Sequence, residues 1–235
     1  MNYYNKYLFL KGGNFGTNHP NDFSLDFYKN NIIVNDTLTI NDDADLNEIK
    51  ISHIYPDFLN KIKHVKILTN NFKIDDLDFF LNLPNITKLT IPSDSSHGPI
   101  NITYSYKNLK ELIITYINFN RYNITINPNS CINLKKIIFD KFNHNYDIIK
   151  IKEINKLEEI IFNKEYNCKI HLIDNPELKL IIVKNIDFNK LITLENLPKL
   201  EKINLPINFK GTIELKNMTN YINLLFSNHL KLNDN

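Results

Sequence analysis

One spacing constrains this chain more than any other feature. An apolar residue is followed by two variable positions, a second apolar residue, one variable position and a third apolar residue. It reads Leu46-Ile49-Ile51, Ile62-Val65-Ile67, Ile86-Leu89-Ile91, Leu109-Leu112-Ile114 and Leu134-Ile137-Phe139. It continues as Leu157-Ile160-Phe162, Leu178-Ile181-Val183, Leu200-Ile203-Leu205 and Tyr221-Leu224-Phe226. Successive copies start 16, 24, 23, 25, 23, 21, 22 and 21 residues apart. A period of that length, sustained through nine copies, is the mark of a repeat architecture.

A shorter strand-like segment stands ahead of the later copies: Ile149 and Ile151, Ile170 and Leu172, Ile192 and Leu194, Ile213 and Leu215. Leu38 and Ile40 hold the same relation to Leu46, and Ile102 and Ile124-Ile126 are looser versions. Between the two segments lie turn formers, Asp174-Asn175-Pro176, Asn196-Leu197-Pro198 and Asn217-Met218-Thr219. Each period therefore has room for two short strands and two turns, but not for a long helix. Only Asp75 to Leu81 shows helical spacing behind an acidic first turn.

A single unit of this kind cannot bury its own apolar side, whereas stacked units share one continuous core. The expected fold is a β-rich, right-handed solenoid of about nine parallel coils, with strands about 4.8 Å apart. It has one main parallel sheet, a second row of short strands, and a few short helices in the N-terminal coils. Residues 1-37 would form an N-terminal capping segment, dense in aromatics from Tyr3 to Tyr28. Residues 38-227 would form the solenoid and residues 228-235 a tail. Asn side chains at turns can bond backbone groups of adjacent coils.

The segments Leu83 to Pro92 (LPNITKLTIP), Lys107 to Ile114 (KNLKELII), Ile132 to Phe139 (INLKKIIF) and Pro198 to Pro206 (PKLEKINLP) resemble leucine-rich repeats. The two-strand form is similar to the BspA-like subclass and to the leucine-rich repeat proteins of amoebae and their large viruses. The likeness spans roughly residues 38 to 227. It implies protein binding without chemistry and without a cofactor.

Alternation along each main strand places the second and third apolar residues inward and the residues between and around them outward. The position between them reads Lys66, Thr90, Ile113, Ile138, Ile161, Ile182, Asn204 and Leu225 down the coils. The row before it includes Lys88, Glu111, Lys136 and Glu159. The isoleucines have three readings: strand formers laddered for stability, an apolar contact stripe for a protein partner, or a surface covered by the chain's own N-terminal segment. In the second reading Ile113, Ile138, Ile161 and Ile182 touch the partner, and the Lys/Glu row forms a polar rim.

Several other functions find no support. The 28 Lys and Arg against 26 Asp and Glu are spread along the chain, and Lys135-Lys136 is too sparse for a nucleic-acid patch. There is no GxGxxG, no P-loop and no HExxH, so dinucleotide, phosphate and zinc-protease chemistry lack their usual motifs. Ser93 to Gly98 joins a hydroxyl, a carboxylate and an imidazole, yet a triad needs convergence from separate segments and an oxyanion hole. The loop reads as a polar turn. Cys131 and Cys168 lie far apart beside apolar residues and read as buried free thiols.

No apolar run is long enough for a signal peptide or a membrane span, which points to the cytoplasm, or to the host cytoplasm for a viral source. Abundant Asn and Ile against one Ala (Ala44) suggests an AT-rich genome. The expectation is a non-catalytic protein-interaction module, with no metal, nucleic acid or membrane partner, monomeric or weakly self-associating. A self-assembling solenoid that pairs through its ends is the alternative.

Overall fold

The computed structural model describes residues 33–34, 36–40, 60, 62–68, 85–93, 100–102, 106–117, 124–126, 131–140, 148–163, 168–184 and 188–227. Strands are numbered along the chain. The first, β1 (Ile33–Val34), runs antiparallel to β2 (Thr37–Ile40) and ends the main sheet on that side. From β2 onward the main sheet is parallel and stacked in chain order. It continues through β3 (His64–Ile67), β4 (Lys88–Ser93), β6 (Glu111–Ile117), β8 (Lys136–Phe139), β10 (Glu159–Phe162), β12 (Leu180–Val183), β14 (Lys202–Pro206) and β16 (Asn223–Ser227).

The strands between these form a second row. β9 (Ile148–Lys152), β11 (Lys169–Ile173), β13 (Leu191–Glu195) and β15 (Thr212–Lys216) make a four-stranded parallel sheet. β5 (Ile100–Ile102) and β7 (Ile124–Ile126) make a parallel pair. The molecule is thus a parallel β-solenoid, as the repeat requires. No described residue is helical, and the expected helical turn at Asp75 to Leu81 falls outside the described residues.

One detail of the repeat is corrected. Leu38 pairs with Val65 and Ile40 with Ile67, so β2 is the main-sheet neighbour of β3. The Leu38/Ile40 segment belongs to the main sheet and not to the second row, and Leu46-Ile49-Ile51 falls outside the described residues. The step from Leu38 to Val65 is 27 residues, so the irregular first step of 16 disappears. Sequence spacing alone could not tell the two segments apart, because both present apolar residues two apart.

The core lies between the two sheets, where the inward rows of every coil meet. Leu109, Leu134, Leu157, Leu178 and Leu200 line one turn, and Ile137, Ile160, Ile181 and Ile203 lie on the main strands, all fully buried. Ile149, Ile170 and Ile192 answer them from the second sheet. Successive coils place like on like. Phe139 and Phe162 stack with centroids 5.0 Å apart and planes 4° apart, and Phe188 and Phe209 stack at 5.6 Å and 9°. Where the chain turns into β15, a side chain on Gly211 would strike the Lys190 carbonyl and come within 2.8 Å of the Phe209 ring.

The turn after each strand of the four-stranded sheet repeats a backbone device. Glu153, Asp174, Asn196 and Asn217 all have positive φ, between 50° and 61°. The first three donate their N–H to the strand-end carbonyls of Ile173, Glu195 and Lys216 in the next coil, at 3.1 Å each. Asn and Asp tolerate this conformation, while Glu does not favour it. Glu153→Asn should therefore raise stability by about 0.5–1 kcal/mol, read as a higher urea midpoint with an unchanged slope.

Asparagine also bridges coils. Asn175 is fully buried in a row that also holds Tyr106, Cys131, Ile154, Leu197 and Met218. Its Nδ2 donates to the carbonyls of Ile151 (3.2 Å) and Ile173 (2.9 Å), and its Oδ1 accepts from Ile154 N–H (3.0 Å). On the surface, Asn85 Nδ2 donates to Asn60 O at 2.6 Å and Asn133 Nδ2 to Lys107 O at 2.7 Å. The same row later carries an ion pair, Lys199–Glu177 at 2.6 Å.

Candidate functional site

The outward face of the main sheet carries the residues singled out by sequence. Pairing places Thr39, Lys66, Thr90, Ile113, Ile138, Ile161, Ile182, Asn204 and Leu225 side by side on successive strands. Lys88, Glu111, Lys136 and Glu159 form the adjoining row in the same register. The alternation therefore assembles both rows as anticipated.

Exposure along the apolar row is uneven. Ile113 and Ile138 are half-buried, but Ile161 and Ile182 are only 5% and 7% exposed. Thr90 and Asn204 are also buried. Neither Ile161 nor Ile182 joins the central core cluster, so both are shielded on the far side of the sheet. This departs from a stripe open along its length. Lateral contact between isoleucines does not set this difference, since Ile138 lies between Ile113 and Ile161 and is half-buried, whereas Ile182 lies between Ile161 and Asn204 and is buried. The Asn204 Oδ1 is buried here with no hydrogen-bond partner among the described residues.

The charged row forms discrete pairs between coils. Lys88 meets Glu111 at 3.4 Å and Lys136 meets Glu159 at 2.9 Å. One position earlier, Lys135 meets Glu158 at 2.7 Å, and this bond holds the Glu158 carboxyl below its ordinary range. Pairs so exposed contribute about 0.2–1 kcal/mol each. Their regular placement fixes register and leaves the face amphipathic, with aliphatics beside balanced charge.

At the N-terminal end of this face, His64 Nε2 lies 2.9 Å from Thr90 Oγ1. Burial pulls the imidazole pKa down from 6.5 to about 4, and Lys88 and Lys66 reinforce the shift against Glu111 and Asp36. A base held neutral in the fold favours the folded state above its unfolded pKa, and that advantage fades as protons bind. The His64 contribution should be complete above about pH 6.5 and lost as pH falls toward 4. For a ring half in water this amounts to about 1–2 kcal/mol. Urea midpoints across that interval should flatten in His64→Asn.

The remaining polar groups offer little for chemistry. Among the described residues, no three His, Cys, Asp or Glu side chains converge to hold a metal ion. Cys131 and Cys168 are buried thiols outside any disulfide, as anticipated, and burial raises the Cys131 thiol to about 12. Of the Ser93 to Gly98 loop, only Ser93 is described, as the last residue of β4. No helix among the described residues is long and apolar enough to cross a membrane.

Stacked coils, two parallel sheets and a shared core define the class: this is a repeat solenoid protein. Its sequence is 32% identical over 126 residues to a Borreliella burgdorferi protein named as an ankyrin repeat protein. That stretch is 52% of this chain and only 30% of the relative, so the chain matches less than a third of its length. An ankyrin unit is a turn with two helices, whereas the described coils here are built from strands. The likeness therefore supports a repeat protein and not an ankyrin architecture. No family model matches the chain, and no solved structure matches it.

Proposed function

We propose that this chain is a non-catalytic protein-interaction module of the leucine-rich-repeat kind. Its partner docks on the outward face of the main sheet, in the cytoplasm. The single observation that carries this reading is the register of that face. Ile113, Ile138, Ile161 and Ile182 are laddered on neighbouring strands outside the core cluster, beside Lys88, Glu111, Lys136 and Glu159. Ile113 and Ile138 supply the accessible apolar contact, while Ile161 and Ile182 stiffen the platform. The Lys/Glu row then serves as the rim that orients the partner.

Supporting the reading further, repeat solenoids present extended surfaces built for recognition, and the one relative described above bears a repeat-protein name. The test is a paired capture. Tagged wild-type chain and a variant with Ile113→Asp and Ile138→Asp are incubated with lysate of the source cells, and bound proteins are compared. The variant should keep its β-sheet circular dichroism and lose the proteins that the wild type retains. Undiminished capture by a folded variant rejects the face as the binding surface.

A further inference from the structure

Charge on the outward face is neutralised unevenly. Lys88, Lys135 and Lys136 hold Glu111, Glu158 and Glu159 of the following coil at 3.4, 2.7 and 2.9 Å. Other cations of this face have no such partner. Among the described residues, Lys66, Lys110, Lys184 and Lys202 belong to no ion pair. Lys66 stands in the isoleucine row itself, two strands before Ile113. Lys184 is the next outward position after Ile182, and Lys202 adjoins Leu180 in the rim row. Lys110 is exposed at the start of β6, one residue before Glu111. The carboxylates left over on the face and its leading edge are Asp140, whose Oδ1 accepts from Asn163 Nδ2 at 2.6 Å, and the exposed Glu201. Unpaired cations therefore bracket the half-buried Ile113 and Ile138 along the row.

We propose that the occupant of this face is an acidic segment of another protein, extended along the isoleucine row with carboxylates near both ends and aliphatic side chains between them. The inference rests on the docking reading above and adds the chemistry of the partner. Lys66 on β3 and Lys184 at the end of β12 stand five strand spacings apart, about 24 Å. An extended segment of about eight residues covers that span. Its terminal carboxylates meet Lys66 at one end and Lys184 with Lys202 at the other, and Lys110 draws a further acid to the leading edge. Ile113 and Ile138 take the aliphatic side chains in the middle. Cations without a carboxylate of their own steer such a segment in, and salt weakens the attraction. A nucleic acid is a poorer match. Glu111, Glu159 and Asp140 lie among the lysines and repel a phosphate backbone, which draws its affinity from many cations together.

A displayed library of random peptides of about twelve residues, selected on the immobilised full chain, tests the proposal. The enriched peptides should combine Asp or Glu near both ends with Leu, Ile or Val between. Their affinity should fall by about tenfold or more in Lys66→Glu with Lys184→Glu, whose circular dichroism should match the wild type. A fresh selection on that variant should yield basic peptides instead. Failure separates into distinct results. Peptides that bind Ile113→Asp with Ile138→Asp as tightly as the wild type reject the face itself, and the docking reading with it. Peptides that need the two isoleucines but are neutral or basic overturn the acidic partner alone. No enrichment of any sequence, affinity indifferent to Lys66→Glu with Lys184→Glu, or displacement of the peptides by a duplex oligonucleotide likewise overturns it.

Discussion

Replacing Asn175 by leucine should destabilise the solenoid by about 2–4 kcal/mol, even though leucine occupies the same row one coil later. Shape is not the issue, since Ile154 and Leu197 show that an aliphatic side chain fits there. The loss comes from three hydrogen bonds inside the core. Ile154 N–H loses its acceptor at 3.0 Å, and the Ile151 and Ile173 carbonyls each lose a donor. A buried polar group left unpaired costs about 1–3 kcal/mol, which exceeds the gain from the added apolar surface. Asn175→Asp should be worse at neutral pH, because a buried carboxylate would face two carbonyl oxygens. It should recover partly in acid, where a protonated carboxyl donates to one of them. Urea denaturation of both variants at two pH values separates the hydrogen-bond contribution from packing.

Phe162→Ala should cost about 3–5 kcal/mol and change the form of unfolding as well as its midpoint. The ring is fully buried and stacked on Phe139 at 5.0 Å, midway along the array. In a repeat protein each coil is stabilised mainly by its neighbours. A cavity at one junction therefore loosens the coupling between the coils before and after it. The expected result is a lower urea midpoint with a broader or two-step transition. Hydrogen exchange should show the halves opening separately. A single sharp transition shifted by less than about 1 kcal/mol would show that coupling at this junction does not depend on the stacked rings.

The architecture was legible because the physics that makes it is periodic. Every coil must offer apolar residues where its neighbours offer theirs, so Leu112, Ile137, Ile160, Ile181 and Ile203 announce both the strands and their register. The turn formers were legible too, since Asp174, Asn196 and Asn217 occupy a conformation those residue types favour. Glu153 in the same conformation was not, because its residue type argues against it. The placement of β2 was misread, since Leu38 and Ile40 satisfy the pattern of either row and only the paired strand decides. At the candidate face, alternation identified the side of the sheet correctly. It reports only the side of the sheet and not the depth at each rung, and so did not distinguish Ile113 and Ile138 from Ile161 and Ile182. The inward amide of Asn175 carried no distinguishing signal among so many asparagines.

The stacking of main strands in chain order, each against the coil before and the coil after, also governs how the molecule yields to force. Tension applied through the two termini cannot shear the whole sheet at once. It strips one rung at a time from a free end, as a zip opens tooth by tooth. Main strands from β3 onward follow one another by 21 to 25 residues, as from Ile160 to Ile181 and from Leu112 to Ile137. Each rupture should release about 70–90 Å of slack. A single-molecule extension trace should then be a sawtooth of near-equal teeth, which would let this chain serve as a graded mechanical fuse.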